Sequence, residues 1–469
     1  MKTIVEPRRE IPVAMEVDVI VAGAGMSGIA AAVASARNGA DTLLIERNGV
    51  VGGVGTAGLE LGWANHYFTL DGELLAKGIG LELIERLVKR GGTSPGWAEH
   101  RKITFDPEIY QDVVLDMFEE SGVRLLMHTI VSDSIVHDNV LQGVVVENKS
   151  GRQAILGKVT VDTTGDADVA ARAGAPYEDA PQGSSSLLFR MADIDFQKAY
   201  RYVKENPGEF VPFESSSVKA DVAYLERMWL EHGLFTLEDN HGLAKMRERA
   251  IANGDYADEM GICSRLGRMG IDGMGWNRTA VINTGSFRID HLDQSEITKA
   301  EVQGRKAAFY VADFLRKYFP GFEDAFVVSI AQDLGVRMTR RIIGEYVYTA
   351  KDAENYVRFD DVIGRTHARG HRYGSTGVDM PYRILVPKKI DNLLVGSGKS
   401  VSADPQSIGS PLRDMMGCLT LGEAAGTAAA LSARDGVTPR ALDVKELQKT
   451  LIKQGVHLGD EARLKELGL

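Results

Sequence analysis

Residues 17–28, VDVIVAGAGMSG, together with Glu46, constrain the fold of this chain more than any other stretch. The run from Val17 is rich in β-branched residues, the pattern of a buried parallel strand. It leads straight into Gly23-x-Gly25-x-x-Gly28, where Ala24, Met26 and Ser27 fill the variable positions. A small-residue helix is predicted over residues 29–38, stopped by Gly39, and a second strand over residues 41–45 ends at the acid. Gly23 allows the tight turn, Gly25 lets backbone approach a pyrophosphate, and Gly28 lets helix pack close on strand. The helix N-terminus offers N–H groups and positive dipole to phosphates, and Glu46 can accept from a ribose diol. The alternative is a glycine-rich turn of some other α/β unit. Strand, glycines, helix, strand and acid in register point instead to dinucleotide binding.

At 469 residues the chain has room for two domains. A net charge of −11 argues against a nucleic-acid groove or an anionic membrane surface as main partner. No apolar run approaches a bilayer span, and residues 1–16 lack the apolar core of a signal peptide. The two cysteines, Cys263 and Cys418, fit a reducing cytoplasm and exclude a CxxC redox motif. Each reads as a small buried residue.

Along the chain, residues 1–15 read as a short leader. Arg47 follows the acid, and then comes a second glycine run with Gly52, Gly53, Gly55, Thr56 and Gly58. It follows a loop rather than a strand, and its position favours backbone lying against a ligand over a plain surface loop. A helix is expected near residues 80–90. Asp106-Pro107-Glu108 is a helix start, and Gly122 is the matching stop. Residues 123–128 read as a buried strand. Alternating strands follow over 129–137 (including Val131), 140–148 and 153–156. A further strand from Lys158 ends in Asp162-Thr163-Thr164-Gly165-Asp166, which places backbone and an acid at the carboxyl edge of the sheet.

These segments resemble the FAD-dependent oxidoreductases of the glutathione-reductase-like superfamily, and more closely the bacterial FAD-dependent oxidoreductase family. IDNLLVGSG, with Gly396 and Gly398, resembles the strand returning to the flavin domain. The stretch from Gly417 through Cys418, Leu419, Gly422 and Gly426 resembles the closing helix, whose amino end faces the isoalloxazine in the family. Met416 stands where relatives often carry proline. The resemblance covers most of residues 16–178 and 334–455. It implies an α/β fold, a Rossmann-like FAD-binding domain split into 16–178 and 334–469, with an inserted α+β substrate-binding domain at 179–333. It further implies noncovalent FAD and a small organic substrate exchanging a hydride with flavin N5. The electron acceptor is left open among oxygen, a quinone or another carrier. A homo-oligomer is expected, being common among such enzymes. Two alternatives stand beside this: a structural or non-redox FAD, as in hydratases and isomerases, and a tRNA-modifying flavoprotein, against which the acidic charge counts.

The middle of the chain is less readable. Strands are expected at 184–191 and 276–283, and helices at 196–205 and 297–318, with Glu301 and Arg305 an i,i+4 pair on a solvated face. For chemistry, Arg337 and Arg341, flanking Arg340, could grip a substrate oxyanion through the guanidinium fork, the alternative being ion pairs with acids. His367 and His371 have i,i+4 spacing, but Gly370 and Gly374 argue against a helix and hence a metal site. His371 and Tyr373 are instead candidates for proton transfer. Tyr382 and Arg383 precede the returning strand and are expected to line the active site. His66 is a further candidate, as base or covalent flavin anchor. Gly398-Lys399-Ser400 lacks the earlier glycine of a P-loop.

Overall fold

Strand β1 (Val13–Ala22) begins in the expected leader and is hydrogen-bonded along its length. The computed structural model describes residues 2–5, 10–63, 68–69, 72–75, 77–100, 103–179, 182–210, 222–237, 243–255, 270–283, 287–367, 377–405 and 412–469. Helix α1 (Met26–Arg37) starts within the glycine loop, and β2 (Thr42–Ile45) returns parallel to β1. Helices α2 (Ile79–Lys89) and α3 (Pro107–Ser121) lead to β3 (Arg124–Leu126), parallel to β2. Asp106 caps α3 by accepting from Glu108 N and Ile109 N, and Gly122 ends it in the left-handed region at φ 76°. The segment expected to be a buried strand is short and only partly buried, because β3 is the sheet's edge and pairs on one side alone.

Three antiparallel strands cross over next: β4 (Ile130–His137), β5 (Val140–Asn148) and β6 (Gly151–Asp162). The two strands expected within 153–162 are one continuous β6. Its first half pairs with β5, while its carboxyl end takes β12 (Leu393–Val395) in parallel. The sheet therefore runs β3-β2-β1-β6-β5-β4, with β12 on the end of β6. Its parallel strands all end near the glycine loop, the usual ligand edge of such sheets.

A second, antiparallel sheet has the order β8 (Leu234–Leu237), β9 (Gly270–Met274), β10 (Thr279–Asn283), β7 (Phe189–Ala192), β11 (Phe326–Ile330). The strand expected at 184–191 is broken in two. Gln182–Ser185 pairs with Phe287–Asp290, and only Phe189–Ala192 joins this sheet. The helix Phe196–Glu205 forms where expected, and α4 (Gln294–Tyr318) lies across the layer. Its core is aromatic, with Phe189, Phe196, Phe235, Phe319 and Phe322 buried together. Glu301 and Arg305 do more than solvate a helix face. Glu301 accepts from Leu334 N at 2.7 Å, and Arg305 donates to the Ala331 and Gln332 carbonyls.

Helix α5 (Met415–Asp435) closes the first layer, and every residue from Met416 to Ala433 is buried. No helix among the described residues is long and apolar enough to cross a membrane.

Candidate functional site

The site is built on the turn between β1 and α1. Gly23 N donates to Ile45 O at 2.7 Å, which ties the turn to the end of β2. A Cβ on Gly28 would sit 1.8 Å from Gly23 O, so helix and turn meet backbone to backbone. Gly25 differs: a Cβ there would meet nothing within 4 Å. The turn thus opens onto free space at the residue just before α1. The N-terminus of α1 has no side-chain cap, so its first N–H groups, at Met26, Ser27 and Gly28, are left for a ligand. Glu46 is buried, and its carboxylate accepts from Ala24 N at 2.7 Å and from Asn48 N at 2.8 Å. Each oxygen keeps a second lone pair for an incoming hydroxyl. Thr129 N donates to Glu46 O, and Val131 packs just beyond, against the core of Ala22 and Ile45.

The second glycine run lies directly on the first. Gly52 N donates to Ala24 O at 2.8 Å, and a Cβ on Gly53 would fall 2.8 Å from Gly25 Cα. Gly55 faces the Met26 methyl, and Thr56 closes the loop by donating to Val51 O at 2.6 Å. Arg47 pairs with Asp333 at 2.6 Å, and Asn48 donates to the same carboxylate.

At the end of β6, Asp162 is buried, and burial pushes its carboxyl up to about 6 against hydrogen bonds from Ala170 N and Thr164. Thr163 donates to Ala22 O and its backbone abuts Gly23. Beyond Gly165, Asp166 accepts from Thr339 Oγ1 at 2.7 Å and pairs with Lys399 at 3.2 Å. Burial would raise the Asp166 carboxyl, but Lys399 and Thr339 hold it below its usual range. Lys399 Nζ also donates to Val336 O at 2.9 Å. Nearby, His291 is buried with Nδ1 against Met338 O at 3.1 Å, and burial lowers its pKa.

The amino end of α5 completes the site. Gly396 N donates to Asp162 O, and a Cβ on Gly398 would lie 1.8 Å from Leu412 O. Cys418 packs its thiol on Arg413 O at 3.2 Å, and burial pushes the thiol up. Leu419 beside it is buried. One turn further, Gly422 and then Gly426 rest on α1: added Cβ atoms would come within 2.1 Å of Ser27 O and 2.0 Å of Ala31 O. This contact runs α5 parallel to α1, with the amino end of α5 lying about two turns ahead of the start of α1. The Asp414 carboxylate makes no capping bond to α5; it meets His367 Nε2 at 3.2 Å.

All the expected cofactor-binding residues are thus assembled around two helix N-termini, Val131 at their margin. The expected catalytic residues divide. Arg341 is paired with Glu178 across a two-stranded seam, and Arg340 with Asp168 at 3.1 Å. Arg337 remains exposed, with no ion-pair partner among the described residues. Tyr382 is buried with its hydroxyl donating to Pro439 O at 2.8 Å. Arg383 is clasped by Asp361 and lies 5.1 Å over the Tyr346 ring. These partners are structural, and none belongs to the glycine loops. His66, His371 and Tyr373 lie outside the described residues. Sequence reasoning missed Asp333, His291 and Arg413, which carry no local motif, and considered Lys399 only as a failed P-loop. Asp414 was readable as the acid heading the closing helix.

Among curated proteins, the chain is 26% identical over 166 residues to a thiamine thiazole synthase from Methanococcus vannielii, covering 32% of this chain and 57% of that protein. It is 27% identical over 159 residues to the Methanococcus maripaludis counterpart, covering 32% and 56%. The chain therefore spans little more than half the length of these relatives. Among solved structures, a geranylgeranyl bacteriochlorophyll reductase-like protein from Thermoplasma acidophilum matches with a TM-score of 0.45 and 12% identity over 94% of this chain and 84% of that one. A p-nitrophenol 4-monooxygenase from Pseudomonas putida matches with 0.46 and 11% over 97% and 92%. Likenesses this distant establish no shared activity. A profile of the FAD dependent oxidoreductase family matches residues 18–451. With that span of its 469 residues matched, the chain belongs to the FAD dependent oxidoreductase family.

Proposed function

We propose that this protein is an FAD-dependent oxidoreductase in which a small organic substrate exchanges a hydride with the flavin. One observation carries the reading: an uncapped α1 opening at Gly25 onto free space, with α5 packed parallel beside it. A Cβ at Gly25 would enter that space, so the loop fits a pyrophosphate. When bound, FAD supplies the redox chemistry at N5.

The chain's own residues bind and orient. The N–H groups of Met26, Ser27 and Gly28 hold the pyrophosphate, and Glu46 accepts from the adenosine ribose. Backbone of Gly52, Gly53, Gly55 and Thr56 covers one side. Thr164, Gly165, Asp166, Gly396 and Gly398 line the path toward α5. There the positive end of the helix, in the turn just before Cys418 and Leu419, would favour negative charge on the ring. On this reading the first layer is glutathione-reductase-like, and the antiparallel layer closes over the substrate. Asp106 supports that closure: its second carboxylate oxygen accepts from Asn277 of that layer at 3.1 Å, with Arg190 at 3.7 Å. For the proton, His367, held by Asp414, joins His371, Tyr373 and His66 as candidates.

The test is the visible spectrum of the purified protein before and after acid precipitation, followed by anaerobic addition of candidate alcohols, amines and acids. Flavin absorption released to the supernatant and bleached by one class is the expected result. A colourless protein that cannot be reconstituted with FAD would overturn the proposal, and FAD that no substrate bleaches would favour a non-redox role.

A further inference from the structure

We propose that the cavity between α1, the start of α2, α5 and residues 454–455 binds a small organic cation, a primary ammonium ion on a short alkyl chain, with Glu423 taking its charge. No residue of the glycine loops lines this cavity, so the site stands apart from the one described above.

The cavity measures about 320 Å³, and its wall reaches the surface at the exposed Glu85 on α2. Glu423 lines it from α5 and is only 1% exposed. One of its oxygens, Oε2, accepts from Ile79 N at 2.9 Å and so satisfies a donor at the start of α2. Gly78 makes that approach possible: a Cβ there would lie 2.4 Å from Oε2 and 2.8 Å from Oε1. The other oxygen, Oε1, has no hydrogen-bond partner among the described residues. A buried carboxyl with an unclaimed oxygen is costly unless a donor meets it. The cavity is where such a donor can enter.

The charges on the wall select a cation. Arg37 is fully engaged: its two Nη atoms fork onto Glu82 at 2.6 and 2.8 Å, and its Nε donates to Ser121 at 3.1 Å. Glu82 is engaged too, by Arg37 and by Arg86 at 3.0 Å. The charge of Lys77 is felt at His457, which pairs with Glu73, while Arg37 and Glu82 are the charged groups felt at Glu423. An anion would gain Lys77 but face three carboxyl groups, Glu82, Glu85 and Glu423. A cation finds two acceptors unclaimed, Glu423 Oε1 and the Glu85 carboxylate. Ala34, Ile79 and Leu81 give the alkyl chain an apolar wall. The volume lies at the lower end for ligand cavities, about 300–1,000 Å³. It is about ten times the share of one water, so a bare inorganic ion would leave most of it unfilled. Burial keeps the Glu423 carboxyl protonated up to about pH 8, so the cation binds by displacing that proton to solvent. Binding therefore weakens as pH falls, while the ammonium, like a lysine, keeps its charge.

The test is titration calorimetry on the full-length protein as purified, with propylamine, butane-1,4-diamine, propan-1-ol and potassium chloride, in phosphate and in HEPES at pH 7. At least one amine should bind while propan-1-ol does not. The difference in heat between the buffers should report about one proton released per amine bound. The affinity should fall about tenfold per unit from pH 7 to pH 5. Glu423→Gln should weaken binding by about tenfold or more and abolish the proton release. Glu85→Gln, at the exposed wall, should cost about fivefold or less. Should Glu423→Gln fail to fold, the pH dependence and the proton release of the parent decide alone. No amine binding, propan-1-ol binding as well as the amines, no proton release, or a Glu423→Gln protein with undiminished affinity would each overturn the proposal. So would potassium displacing the amine at equal concentration, or Glu85→Gln costing as much as Glu423→Gln.

Discussion

The two layers of this molecule solve packing in opposite ways. Around the glycine loops, the core is made by taking side chains away. Along α1 the residues Met26 to Ser35 are buried and mostly glycine, alanine and serine, and α5 meets that helix through Gly422 and Gly426. In the antiparallel layer the core is made by large rings: Phe319 stacks on Phe322 at 4.9 Å between centroids and sits 5.5 Å from Phe210. Backbone-to-backbone contact places the amino ends of two helices accurately but tolerates no added atom. Ring packing buries more surface per residue and can readjust. A cofactor cradle needs the first property, and a layer closing over a substrate can be built from the second.

The largest predicted effect breaks this comparison directly. Gly426→Ala adds one methyl group 2.0 Å from Ala31 O, where only movement of a whole helix makes room. It should cost about 3 kcal/mol or more and release FAD. Phe319→Leu removes several atoms from the other core, yet should cost only about 1–2 kcal/mol and leave FAD bound. Urea unfolding followed by flavin absorbance and far-UV dichroism measures both. Equal tolerance of the two changes would mean that the helix contact is not tight.

This contrast also explains what was legible in the sequence. Close backbone approach admits only glycine, so the residues at 23, 28 and 53 announce themselves, and Asp106 and Gly122 mark a helix by local chemistry. The aromatic core is drawn from residues scattered between Phe189 and Phe322, with no short period to betray it. The continuity of β6 was hidden because Gly157 and Lys158 interrupt its apolar pattern, whereas its pairing with β1 runs through Gly157. The division of labour among the arginines was illegible for a different reason. Asp168 and Glu178 lie far away in sequence, and only the fold shows that they occupy Arg340 and Arg341 while Arg337 is left over.

The small-residue core holds one exception that sharpens the comparison. Glu423 lies within α5, almost wholly buried, accepting from Ile79 N at 2.9 Å at the start of α2. Burial pushes its carboxyl up to about 8, although the Ile79 N–H and Arg37 pull the other way. In the unfolded chain the group loses its proton near the ordinary 4.5. Between those values the unfolded state binds fewer protons than the folded one, so stability falls as pH rises, by at most about 1.4 kcal/mol per unit, and levels off above about pH 8. Glu423→Gln keeps an acceptor for Ile79 N and removes the titration. Its stability relative to the parent should therefore improve steadily from pH 5 to pH 8. Parallel stability curves for the two proteins over that range would refute the assignment.

The smallest effect is expected at the two-stranded seam where Arg340–Ile342 pairs with Tyr177–Asp179 and Arg341 faces Glu178 across the strands. Glu178 is 55% exposed, so the pair is well screened and worth about 1 kcal/mol or less. Removing the arginine leaves an acid that water can solvate, not a stranded buried charge. Arg341→Gln should therefore shift the urea midpoint only slightly and leave FAD occupancy, read from the flavin absorption band, unchanged. A large loss of stability or of FAD in Arg341→Gln would mean that the pair is more than a screened surface contact and pins the 340–342 strand to residues 177–179.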